Sequence, residues 1–199
     1  MHYTIRQAKL DLERIESCQP LVQRMLKVAH IITKVLETEV TQINDKPIIV
    51  GGLAMEIYTH SEYTTHDIDF VTTSSIRLSE ILLELGFKKE TIYEYEPLKV
   101  AVQIMSEPLD PMRYEDTQII EFEDKTRVYC ISKEGLLYNR ALDYQSLDNR
   151  NYSIYLLIQD FDTIDTKQIL SDLEKQDIDA FKAFKEWIHI AKEKRKKFN

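Results

Sequence analysis

Asp67 and Asp69, separated by one isoleucine, are the side chains of this sequence best arranged to do chemistry. On an extended strand, residues i and i+2 face the same way, so both carboxylates emerge together while Ile68 and Phe70 turn into a core. Two neighbouring acids repel each other, and a cation relieves that repulsion. A hard divalent ion such as Mg²⁺ suits the pair, because it prefers oxygen ligands and keeps phosphate and water in its shell. Upstream, PIIV at 47–50 is a short apolar strand that runs into Gly51 and Gly52. Glycine lets the backbone approach another group closely. Where a helix follows at once, its free N–H groups form an anion site suited to phosphate. A carboxylate pair beside such a turn is equipment for phosphoryl or nucleotidyl transfer, with a metal clamping phosphate and lowering the pKa of an attacking hydroxyl. A lone Gly-Gly is usually a turn, and a lone Asp-x-Asp is usually a solvated strand edge. The ordered combination is much more specific.

These groups need elements to hold them. Leu21, Met25, Val28, Ile32, Val35 and Leu36 recur with helical period and predict an amphipathic helix over 21–40, with Pro20 near its first turn. After the 47–50 strand, the pattern predicts a short helix over 53–60 and a strand over 67–72. Ser74 or Ser75 caps a helix through IRLSEILLEL that stops at Gly86. Strands are expected around 87–94, 98–105, 117–122 and 126–131. Ser132 is another N-cap, and helices are expected over 133–145, 150–160, 166–175 and 177–195. The order predicts an α+β chain: a core with N-terminal helices over 1–132, and a helical region over 133–199 packed on it.

Bulk composition narrows the class of partner. With 34 acidic and 26 basic residues the net charge is −8, which disfavours nucleic acid as the main ligand without excluding a local basic groove. The basic run AKEKRKKF at 191–198 reads as a solvated helix end. No apolar run approaches the roughly 20 residues that span a bilayer, so no membrane partner is expected. The first residues carry no apolar signal-like segment, and a cytoplasmic protein is expected. Cys18 and Cys130 are isolated, which predicts neither a disulfide framework nor a zinc site. His60 and His66 have no HxH or HxxxH spacing and read as loop residues. Phe181, Phe184, Trp187 and Ile188 have the spacing of a helix core.

GGLAMEIYTHSEYTTHDIDF at 51–70 resembles the bacterial nucleotidyltransferase superfamily, in particular the abortive-infection type and its uncharacterised relatives. Those proteins carry a GG-x-A segment, a short helix, and then R-x-T-x-D-I-D followed by a hydrophobic residue. VYCISKEGLLYNRALDY at 128–144 is similar to the family's strand and following helix. The similarity extends over roughly residues 45–190, with only the 51–70 motif sharp. The resemblance implies a small mixed sheet with flanking helices and a C-terminal helical region. It implies that Asp67 and Asp69 hold Mg²⁺ (or Mn²⁺) and that Gly51, Gly52, Thr65 and Arg140 contact a nucleoside triphosphate. The reaction would move a nucleoside monophosphate to a hydroxyl acceptor and release pyrophosphate. The acceptor is unspecified: a toxin-like, antibiotic-modifying or RNA-modifying role fits the family, and a protein partner is also compatible with it.

Two positions depart from the family pattern. A third carboxylate usually sits in a hydrophobic-Asp-hydrophobic triplet on a later strand, and here the counterpart is Gln103 between Val102 and Ile104. An amide oxygen can ligate weakly, but it cannot act as a base. Glu107, Asp110 and Glu121 are possible substitutes without the right local pattern. Tyr63 stands where the family has arginine, leaving His66 and Arg140 as candidate cations. The alternative to an enzyme is therefore a catalytically impaired relative that binds a nucleotide or a protein.

Overall fold

The computed structural model describes residues 3–105 and 114–197. Among them the chain is α+β, with eight α-helices and a mixed seven-stranded sheet. It divides into two compact units, Met1–Glu56 with Thr64–Ile131, and Ile57–Tyr63 with Ser132–Asn199.

The first unit holds the sheet. Its helices are α1 (Ile5–Glu13), α2 (Leu21–Leu36), the start of α3 (Gly51–Tyr58) and α4 (Ser75–Leu85). Its strands are β1 (Ile48–Val50), β2 (Asp67–Val71), β3 (Lys88–Lys89), β4 (Tyr93–Tyr95), β5 (Val100–Ile104), β6 (Gln118–Glu121) and β7 (Arg127–Cys130). The strand order is β3-β4-β5-β2-β1-β7-β6. β2 lies antiparallel to β1 and parallel to β5, and β1 runs parallel to β7. Central β1 is buried at all three residues, as an Ile-Ile-Val strand covered on both faces should be. Edge strand β6 is largely exposed.

Helix α2 packs on β2, β5 and β7 and also on α1 and α4, so these three helices form one layer over the sheet. Of the stripe read from the sequence, Met25, Val28, Ile32, Val35 and Leu36 are buried, while Leu21 at the helix start is partly exposed. The helix ends at Leu36, earlier than its periodicity predicts, and a turn continues from there. Gly86 closes α4 in the left-handed region (φ 98°), and the expected stop is present. Ser74 occupies the N-cap but makes no capping bond. Its ψ of 36° is not extended, so its hydroxyl is not aimed at the first-turn N–H groups. The strand expected over 87–94 is instead a small hairpin, β3 and β4, because the chain reverses between Glu90 and Ile92.

The second unit is helical: α5 (Lys133–Leu142), α6 (Leu147–Asp160), α7 (Thr166–Gln176) and α8 (Ile178–Lys196). Ser132 caps α5 by accepting from the Gly135 N–H at 3.0 Å, and Ser146, Asp165 and Asp177 cap the other three. α8 packs on α5, α6 and α7, and its Phe184, Trp187 and Ile188 are buried. No helix among the described residues is long and apolar enough to cross a membrane. Cys18 is exposed and Cys130 is buried.

Candidate functional site

Burial along β2 alternates as the residue types require. Ile68 and Phe70 are fully buried, while Asp67 and Asp69 are half-exposed on the opposite face. Registers across the sheet then decide what surrounds them. Asp69 lies opposite Val50 of β1 on one side and opposite Gln103 of β5 on the other, and Asp67 lies opposite Ala101. Gln103 is exposed and shares the face of Asp69, so the amide identified from its local triplet is the strand neighbour of the second carboxylate.

Because Val50 pairs with Asp69, the next residue, Gly51, starts α3 against the Asp69 side chain. Its φ is +61°, and a Cβ added there would lie 2.2 Å from Asp69 Oδ2. Both the backbone conformation and the space demand glycine. The opening N–H groups of an α-helix have no partners within it, so the start of α3 combines donors with an adjacent carboxylate.

A second tether reaches Asp67. Thr65, buried in the loop before β2, donates from Oγ1 to Asp67 Oδ1 at 3.1 Å, and its backbone N–H donates to Glu56 Oε2 at 3.1 Å. Glu56 is only 5% exposed. Burial raises its carboxyl above the usual range, against the opposing pull of the Thr65 N–H and the His66 charge. Sequence reasoning passed over Glu56, yet it is the one charged residue in the otherwise apolar helix GGLAMEIY. An acid flanked in sequence by apolar residues, inside a motif, is a usable signal.

Gln103 also borders a groove of about 410 Å³ with Ser75, Ser79, Lys89, Thr91 and Tyr93. A larger groove, of about 720 Å³, is lined by Glu121 but by none of Gly51, Gly52, Thr65, Asp67, Asp69, Gln103 and Arg140. Several of its charges are paired: Glu37 accepts from Arg127 at 2.8 Å and from the Tyr129 hydroxyl at 2.5 Å.

The remaining candidates are dispersed. Glu121 is on edge strand β6, three strands from β2 and paired with Lys125, so it cannot replace the third carboxylate. Glu107 and Asp110 lie outside the described residues. Arg140 belongs to the helical unit, where Nη1 donates to Asn149 Oδ1 at 2.7 Å. Its guanidinium lies 5.9 Å from the centroid of Tyr63, so a cation adjoins that ring. Tyr63 also packs edge-on against Tyr152 with centroids 4.8 Å apart. His60 and Ser61 follow α3 with φ of 51° and 69°, a left-handed pair that reverses the chain. Among the described residues no group of three or more His, Cys, Asp or Glu gathers to hold a metal. The donors available on the β2–β5 face are two carboxylates and an amide oxygen, all hard oxygen ligands.

No protein-family model matches the chain, and neither does any curated protein.

Proposed function

We propose that this chain is a nucleotidyltransferase-type protein that binds a divalent cation and a nucleoside triphosphate on the β2 face and transfers a nucleoside monophosphate to a hydroxyl. The observation that carries the reading is the apposition of Gly51 and Asp69. A helix start lies so close to one carboxylate of a same-face pair that no Cβ fits between them.

Asp67 and Asp69 are the oxygen donors for Mg²⁺ or Mn²⁺, and the pair fits such an ion by charge and hardness. When bound, the ion neutralises phosphate charge and lowers the pKa of the attacking hydroxyl. Gly51 and Gly52 offer backbone N–H groups to the phosphates. Thr65 holds the rotamer of Asp67. In the transfer, the acceptor oxygen bonds to the α-phosphorus as the bridging bond to the β-phosphate breaks. Pyrophosphate leaves, and the hydroxyl proton passes to solvent because Gln103 has no site for it.

Gln103 beside Asp69 also favours a second reading, a protein that binds nucleotide without turnover. Thermal unfolding with each NTP, with and without Mg²⁺, tests the shared part. Mg²⁺-dependent stabilisation should appear in the native chain and vanish in Asp67→Ala/Asp69→Ala. No stabilisation by any NTP would refute both readings. Labelled NTP incubated with cell extract separates them: a labelled acceptor supports the enzyme. Activity that appears only in Gln103→Asp supports the binding protein.

A further inference from the structure

We infer that Glu56 is a positioning residue for the cation site, acting through Thr65 to hold Asp67 in its ligating orientation. The inference rests on the nucleotide-binding reading above and extends it to a residue to which that reading gives no role. Helix α3 reaches the β2 carboxylates by two routes, one direct and one through Thr65. Gly51 abuts Asp69 directly, and Glu56, five residues on, grips the Thr65 N–H, whose hydroxyl in turn holds Asp67 Oδ1.

Five helical residues advance about 7.5 Å, and the two-residue step from Asp67 to Asp69 advances about 6.6 Å. One rigid helix can therefore address both acids with little mismatch. A buried acid is costly to keep unless its hydrogen bonds serve something. Leucine would suit so buried a position, but it could not accept from the Thr65 N–H. With that anchor gone, the loop before β2 gains freedom, and the Thr65 hydroxyl no longer meets Asp67 at a fixed angle. The carboxylate then has to be ordered by the incoming cation, which weakens binding. An amide retains an acceptor oxygen at the same place, so glutamine preserves the chain of contacts.

The test is the Mg²⁺ concentration giving half of the ATP-dependent thermal stabilisation, measured for the native chain, Glu56→Gln, Glu56→Leu, Thr65→Val and Glu56→Leu/Thr65→Val. Glu56→Leu should raise the half-point about tenfold, and Thr65→Val should raise it severalfold. The double variant should be no worse than Glu56→Leu, because both changes cut one chain. Glu56→Gln should stay within about twofold of the native value. A Glu56→Leu protein that unfolds more easily yet keeps the native half-point would overturn the inference, since a purely structural role moves only the baseline. If Glu56→Leu does not fold, Thr65→Val decides: a native half-point there overturns the inference. A native chain that responds to no Mg²⁺–ATP mixture at all, nor to the other NTPs, overturns the nucleotide reading together with this one. A native response that Glu56→Leu leaves intact overturns this one alone.

Discussion

Replacing Gly51 with alanine isolates the feature on which the proposed site depends. An L-residue in the left-handed region costs about 1–2 kcal/mol. The added Cβ would lie 2.2 Å from Asp69 Oδ2 and 3.1 Å from its Cγ, so the carboxylate must swing away. An off-rotamer side chain adds about 0.5–1.5 kcal/mol. Together these give about 2–3 kcal/mol, and at about 2–4 °C per kcal/mol the melting temperature should fall by roughly 5–10 °C. Differential scanning fluorimetry or calorimetry reads the loss directly. The Mg²⁺–NTP response should also disappear, because Asp69 has been displaced. A double-mutant cycle with Asp69→Ala separates the two parts. Truncating Asp69 removes the clashing oxygen, so Gly51→Ala should cost about 1 kcal/mol less in that background. Gly52, whose φ is not positive, should tolerate alanine better. A Gly51→Ala protein that melts within about 1 °C of the native chain and still answers Mg²⁺–NTP would refute the close-approach argument.

Gln103→Asp sets a carboxylate opposite Asp69, and directly opposed like charges on a sheet cost up to about 1 kcal/mol. The variant should melt lower than the native chain without divalent ions and gain more from Mg²⁺, as a fluorimetric titration would reveal. Burial pushes the Glu37 carboxyl up, but the Tyr129 hydroxyl and the Lys46 and Arg127 charges outweigh it and hold it below its ordinary value of 4.5. Its stabilisation is therefore complete above about pH 4.5 and is lost as the pH falls through the depressed value. Glu37→Gln should be less stable at neutral pH and show a shallower acid limb in chemical denaturation. Ser132→Ala removes the cap bond to Gly135 and should cost about 1 kcal/mol, measured by urea denaturation.

Local patterns disclosed much of this molecule because they rest on short-range geometry. The period-2 alternation of Asp67-Ile68-Asp69-Phe70 decides which side chains share a face wherever the strand is placed. The Ser132 cap, the Gly86 stop and the apolar stripe of α2 are equally local, and so the α+β order and most elements were legible. The hairpin at 88–95 was not, since neither of its strands is long enough to carry a period. Segment 57–63 joined the helical unit through contacts distant in sequence, where a boundary near 132 alone had been expected.

The site divides along the same line. Residue types and spacing by themselves determined that Asp67 and Asp69 share one face of β2 and that Gly51 permits an unusual backbone. Only the tertiary structure decided what each one meets. The β1–β2 register sets Gly51 against Asp69, the β2–β5 register sets Gln103 beside Asp69, and the packing of α3 brings Glu56 to Thr65. It also excluded Glu121 by placing β6 at the far edge of the sheet. Those pairings depend on strand order and helix docking across tens of residues, and hydrophobic periodicity is blind to both: it reports which face a side chain takes, never which neighbour it finds there.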